Sequence, residues 1–366
     1  MSTDPERHGG TSASKGPVLV TGGAGFIGAN LCHRLLSSGI EVRVLDDLSR
    51  RGAERNLAWL AAEHPDGFEL LRGDVRDPAL VARAVAGTSA VFHLAAQVAV
   101  TTSLVDPVRD FEVNARGTLE VLEAVRRQSP PPFVLYTSTN KVYGALEDLV
   151  LADAGTRYAP VDPGRHRGIS EERGLAFHSP YGCSKGAAEQ YVLDWAKTYG
   201  VPATVFRMSC IYGTRQLGNE DQGWVAHFLF QALAGRPIVI YGDGKQVRDV
   251  LWVEDLLDAF LLARARPAGV VGRAFNVGGG SLNTLSLVEL LDLVEELHGA
   301  RPPAMLEGWR RADQRWYVSD TSALRAAIGW SPRVSPREGV ARLYRWAREE
   351  LRARDAILEA PAEVSP

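Results

Sequence analysis

The sequence predicts an α/β fold: a doubly wound parallel sheet of about seven strands with a smaller C-terminal lobe. Short apolar runs rich in Val, Phe and Leu, at 18–21, 42–46, 68–71, 90–94, 133–138, 203–207 and 274–277, alternate with helical patterns. Such alternation belongs to βαβ units, whose crossover helices cover both faces of the sheet. A glycine-rich turn, TGGAGFIG at 21–28, directly follows the first run and opens a helix. The length of 366 residues, 45% hydrophobic and 23% charged, suffices for a large core and an appended lobe.

Along the chain, residues 1–16 are polar and aperiodic and are expected to form a disordered leader, lacking the apolar centre of a signal peptide. Ile27, Leu31, Leu35 and Leu36 supply the inward stripe of the first helix. From 145 to 178 the alternation fails, which reads as a long functional loop near the site. The core is expected over 17–207 with the strand at 274–277 added later, the substrate-binding lobe over 208–273 and 278–350, and a tail, a fraying helix, over 351–366. Cys32, Cys183 and Cys210 show no metal or disulfide spacing, so no metal is expected and the compartment reads as the cytoplasm. No apolar run spans a membrane, and a net charge of −3 offers no basic field for nucleic acid.

In the glycine turn, Gly22, Gly25 and Gly28 let the backbone bend and approach a diphosphate, which the helix N-terminus, carrying Phe26 and Ile27, then faces. Asp46 ends the second strand, eighteen residues beyond Gly28, close to the roughly 20 at which a carboxylate receives the adenosine ribose in a Rossmann fold. A carboxylate there favours NAD over NADP, although Arg50 and Arg51 follow closely and could pair with a 2′-phosphate. Asp74 and Val75 suit the adenine edge, and Leu94, Ala95, the small Ala96 and Gln97 close the fourth strand against the cofactor.

Tyr181 and Lys185 stand four apart in a helical pattern, so phenol and ammonium share a face and the cation can favour the phenolate. Tyr241 and Lys245 have the same spacing, but YGDGK reads as a turn and leaves that pair without a common helix. Thr139 ends the fifth strand at the carboxyl edge, where open α/β sheets bind ligands, and its hydroxyl can relay a proton.

TGGAGFIG, Thr139 and YGCSK together resemble the extended short-chain dehydrogenase/reductases that act on nucleotide-sugars. LSRRGAERNLAWL, QVAVTTS, STNKVYG, FHSPYGCSKGAAEQY, DQGW, GKQVRDVL and DQRWYVSD, spread over 17–348, resemble the CDP-tyvelose (CDP-paratose) 2-epimerases within that superfamily. The resemblance implies tightly held NAD, a nucleotide-diphosphate sugar, and epimerisation at C2 with Tyr181, Lys185 and Thr139 as catalytic residues. It also assigns Arg248 and Arg310 to the diphosphate, and Asn140, Gln222 and Trp224, beside Asp221 and Gly223, to the sugar or base. Met208 and Cys210 stand where the family tends to carry histidine and serine, so the sugar can differ. A 4,6-dehydratase would need carboxylates where Asn140 and Lys141 stand, whereas a UDP-sugar 4-epimerase could use the same three catalytic residues. A non-catalytic NAD-binding regulator would not need the tyrosine and lysine. His93 and Cys183 are expected to pack, and a homo-oligomer, dimer or tetramer, is expected through apolar helices on either side of Lys185 and near Leu119 to Val125.

Overall fold

The computed structural model describes residues 16–310 and 313–359. All but Gly16 of the expected leader lies outside the described residues, as does the tail from 360 on; residues 351–359 continue a helix.

The chain first builds a βα repeat: β1 (Val18–Thr21), α1 (Phe26–Ser37), β2 (Val42–Asp46), α2 (Ala53–Glu63), β3 (Phe68–Arg72), α3 (Pro78–Val85) and β4 (Ala90–His93). Helices α4 (Val100–Val105) and α5 (Pro107–Phe111), a π-turn at Glu112–Arg116, and α6 (Gly117–Arg126) lead to β5 (Phe133–Thr139). After a small antiparallel hairpin, β6 (Leu151–Asp153) and β7 (Tyr158–Pro160), the long α7 (Pro180–Thr198) returns to β8 (Ala203–Met208).

The lobe then begins with β9 (Cys210–Tyr212), α8 (Trp224–Leu233), β10 (Ile238–Tyr241), β11 (Val247–Trp252) and α9 (Val253–Ala265). The chain revisits the main sheet at β12 (Ala274–Val277). It ends with β13 (Thr284–Ser286), α10 (Leu287–His298), β14 (Ala304–Glu307), β15 (Trp316–Tyr317), α11 (Ser322–Ile328) and α12 (Pro336–Glu359).

Seven strands form one sheet in the order β12-β8-β5-β4-β1-β2-β3, every pair parallel. The expected runs are present to within a residue at their ends, and Thr139 is the last member of β5. Alternation along β1 sends Val18 and Val20 to one face, with Leu31, Phe92, Phe206, Phe260 and Phe275, and Leu19 to the other, with Val121, Tyr136, Val192 and Trp195. Strand order reverses between β1 and β4, which opens a crevice at the carboxyl ends of the strands. The lobe's own core, gathered around Tyr212, Phe228, Leu229, Trp252 and Leu290, packs above that edge.

The segment 145–178 differs from expectation. It contributes no residue to the cavity wall and instead braces the lobe. Tyr158 N–H donates to the Lys245 carbonyl, Lys245 pairs with Asp153, Arg157 pairs with Glu289, and Ile169 bridges to Ser319. Of the charges that gave the stretch a loop-like composition, Asp153 and Arg157 pair with the lobe, whereas Arg165 with Asp162 and Arg173 with Asp148 pair within the segment.

Candidate active site

A cavity of about 1100 Å³ lies between the sheet edge and the lobe, larger than the roughly 300–1,000 Å³ of ordinary small-ligand sites. Every residue assigned above to cofactor, catalysis or substrate lines it.

On the sheet side the wall is backbone. Gly22 has φ 71°, and a Cβ there would come within 2.8 Å of the Ala95 nitrogen. A Cβ on Gly28 would meet the Gly22 carbonyl at 2.1 Å, so the turn and the start of α1 can pack only as glycine. Gly25 caps α1 without a side-chain hydrogen bond, which leaves N–H groups directed at the cavity. Asp46 accepts from Ala24 N–H at 2.9 Å and from Leu48 N–H at 2.8 Å, holding the turn while its remaining lone pairs face the cavity. Burial pushes its carboxyl above the ordinary value. Asp74 is forked by Arg76 and held below the usual carboxylate range, and Val75 is buried beside it. Gln97 folds its amide back onto Ala99, and its own N–H donates to Asn114. These groups, in this order along a switch-point crevice, fit a dinucleotide with a free adenosine ribose. Arg50 lines the cavity from a solvent-exposed position, and its charge acts on Tyr181.

The face assigned to catalysis is built by α7. Ser179 caps it through Gly182 N–H, Pro180 occupies its first turn, and Tyr181 N–H donates to Ser103 at 3.2 Å. Tyr181 and Lys185 are both buried. Desolvation pushes the phenol up to about 12, against which the Thr139 hydroxyl and the Arg50 guanidinium favour the phenolate. Burial brings the Lys185 ammonium down to about 7, with Glu189 and Asp110 opposing, and its nitrogen lies 4.3 Å from the centre of the Tyr136 ring. Thr139 bonds Asn140 and accepts from Lys141 N–H at 3.2 Å. The rival pair separates as the turn chemistry requires: Tyr241 ends β10, Gly242 and Gly244 have positive φ, and Lys245 reaches Asp153.

Two residues that support this site, Glu189 and Asp313, went unrecognised in the sequence. Glu189 is one more helical step along α7 from Lys185 and wholly buried; it holds Arg207 at 2.7 Å and accepts from Ser138 at 2.6 Å. The spacing Tyr181, Lys185, Glu189 was the available signal. Asp313 accepts from Arg248 at 2.7 Å and lies 3.7 Å from the Lys141 ammonium. Nothing local in sequence joins those three.

On the lobe side, the two arginines assigned to a diphosphate meet carboxylates. Arg248 is engaged by Asp313, and Arg310 contacts Glu220 and Asp221 at 3.4 Å each while stacking on Tyr241 at 3.8 Å. Trp224 Nε1–H points at Cys210 Sγ, 3.5 Å away, beside Met208 on the cavity wall. Buried oxygens of Gln216, Gln222 and Gln246 accept no hydrogen bond from the described residues, and all three residues line the cavity.

His93 packs as expected, bonded to Thr21 and Thr118 and driven down to about 3 by burial. Cys183 does not: it is exposed, on the outer side of α7. Among the described residues no His, Cys, Asp and Glu grouping could hold a metal, and no helix is long and apolar enough to cross a membrane.

Residues 18–278 match the sequence model of the NAD dependent epimerase/dehydratase family. The chain is 45% identical to the CDP-paratose 2-epimerase of Salmonella typhi, covering 90% of this chain and 98% of that one. It is 36% identical to the UDP-glucose 4-epimerase of Mycolicibacterium smegmatis, over 91% and 99%. Among solved structures, the UDP-glucose 4-epimerase of Thermus thermophilus in complex with NAD superimposes with a TM-score of 0.75 at 33% identity, covering 91% and 99%.

Proposed function

This chain belongs to the NAD-dependent epimerase/dehydratase family, and from that membership we propose that it is a 2-epimerase of nucleotide-diphosphate sugars of the CDP-paratose/CDP-tyvelose type. Its cofactor is NAD, with Gly22, Gly25 and Gly28 against the diphosphate, Asp46 on the adenosine ribose, and Lys185 on the nicotinamide side. NAD supplies the acceptor and donor of the sugar's hydride. Tyr181 as phenolate takes the proton of the C2 hydroxyl, with Thr139 steadying that oxygen and the charges of Arg50 and Lys185 favouring the anion. The resulting 2-keto sugar turns its other face to the same groups, Tyr181 returns the proton, and no net oxidation remains.

The observation that carries this reading is the pair after Thr139. Asn140 and Lys141 line the cavity there, and neither is a carboxylate that could serve as the acid or base for expelling water. That favours epimerisation over dehydration, and the 45% identity to a 2-epimerase, against 36% to a 4-epimerase, favours C2. Proton NMR of products from CDP- and UDP-hexoses in deuterated water tests it. Inversion at C2 without solvent deuterium is expected; inversion at C4 of a UDP-hexose would overturn the C2 assignment.

A homo-oligomer fits the surface; of the helices expected to carry it, the one near Leu119 to Val125 turns much of its apolar side inward. Val121, Leu122 and Val125 are buried against the chain's own sheet. Among the exposed apolar side chains, Leu104, Val105, Val108 and Phe111 gather on α4 and α5; both helices pack against α7, where Tyr191 is exposed as well, and we assign that face to a second copy. Sedimentation should give a dimer or larger, reduced to monomer by Val108→Asp with Phe111→Asp.

A further inference from the structure

We propose that Lys141 is the cation that holds the sugar-linked phosphate, and that it thereby seats C2 rather than C4 of the hexose at Tyr181; this rests on the 2-epimerase reading above. The argument is one of distance along the sugar. The diphosphate is attached at C1. If C2 is the reacting carbon, the first phosphate is attached to the neighbouring ring carbon and must lie close to Thr139 and Tyr181. If C4 reacts, that phosphate sits across the ring and needs no cation beside the catalytic groups.

The structure provides a cation at the near position. Lys141 follows Asn140 in the short 3₁₀ turn Asn140–Tyr143, and its own N–H donates to the Thr139 hydroxyl at 3.2 Å, so its backbone cannot move away from the catalytic threonine without breaking that bond. Its ammonium is carried on the cavity wall and shares Asp313 with Arg248. Two cations around one carboxylate leave a net positive locus between the catalytic residues and the lobe arginines. Burial holds the ammonium's pKa below its ordinary value, and the Asp313 carboxylate opposes that depression in favour of the charged form. A phosphate entering beside Asp313 meets a point charge from the lysine and the charge of Arg248, whose Nη1 and Nη2 are fixed by the Val247 carbonyl and Asp313. Arg310 lies further along the lobe, beside Tyr241 and Glu220, in line for the second phosphate.

The test compares inert nucleotides. Affinities of wild type, Lys141→Met and Lys141→Arg for CMP and CDP are measured by calorimetry, alongside NMR identification of the wild-type product. Lys141→Met should lose about tenfold in CDP affinity, as expected for one charge-assisted contact. Its CMP affinity should stay unchanged, which also certifies its fold, and Lys141→Arg should keep most of the CDP preference. C2 inversion by wild type together with an undiminished CDP preference in Lys141→Met would overturn the role of Lys141 and leave the function standing. C4 inversion by wild type would sink the function and the seating argument together.

Discussion

On the sheet side of the cavity the shape is set by main chain: glycines that admit no Cβ, a helix start, and a carboxylate bonded to two backbone N–H groups. On the lobe side it is set by long side chains drawn from distant segments and held in ion pairs, Arg248 with Asp313 and Arg310 with Glu220 and Asp221. On the proposed function, the contrast follows from what each side would recognise. A dinucleotide common to the family can be met by a rigid backbone, whereas a sugar and base that vary among relatives are met by side chains that change without disturbing the sheet. Ion pairs that cap the lobe cations also keep them from being bare charges.

Tyr181→Phe separates chemistry from both sides. Removing the proton carrier should cost about 10³-fold in kcat, while the NAD content of the purified protein stays at the wild-type level. Equal activity in that variant would remove Tyr181 from the mechanism. Beneath the catalytic face, Glu189→Gln breaks a buried pair and leaves Arg207 without its counter-ion, an expected loss of about 3–5 kcal/mol in denaturant unfolding. A loss below about 1 kcal/mol would mean that Tyr143, the other partner of Arg207, suffices.

The sheet side should be intolerant of a single methyl. Gly28→Ala forces a Cβ against the Gly22 carbonyl, with an expected cost of about 1–3 kcal/mol and loss of copurifying NAD. On the lobe side, Arg310→Ala should change stability by no more than about 0.5 kcal/mol, because its partners are solvent-accessible, yet raise KM about tenfold by removing one charge-assisted contact. If Arg310→Ala proved the more destabilising of these last two, the contrast between the sides would be wrong.

The same contrast explains what could be read from the chain. The seven strands and the glycine turn are local patterns, each written within a few consecutive residues. Tyr181 and Lys185 could be paired from the sequence because a helix sets residues four apart on one face, and both side chains line the cavity. The carboxylates that hold Arg248 and Arg310 were not, since Asp313 and Glu220 reach them through tertiary folding alone. The segment 145–178 misled for a related reason: its charges look like those of a solvated loop until the partners on the lobe, Glu289 and Lys245, are known. Cys183 misled differently, lying beside buried Gly182 and Ser184 on a helix whose outer face it happens to occupy.

The return of the chain to the main sheet at β12 has a consequence for how the protein is made. Until Ala274–Val277 leave the ribosome, β8 carries an open parallel edge with no neighbour. The lobe segment from β9 to α9 therefore emerges while the sheet is still unfinished, and Phe206 and Phe260 lack the Phe275 ring that later packs with them. Nascent chains halted between α9 and β12 should accordingly be the most prone to stick to one another or to recruit chaperones, and synthesis past Val277 should end that vulnerability.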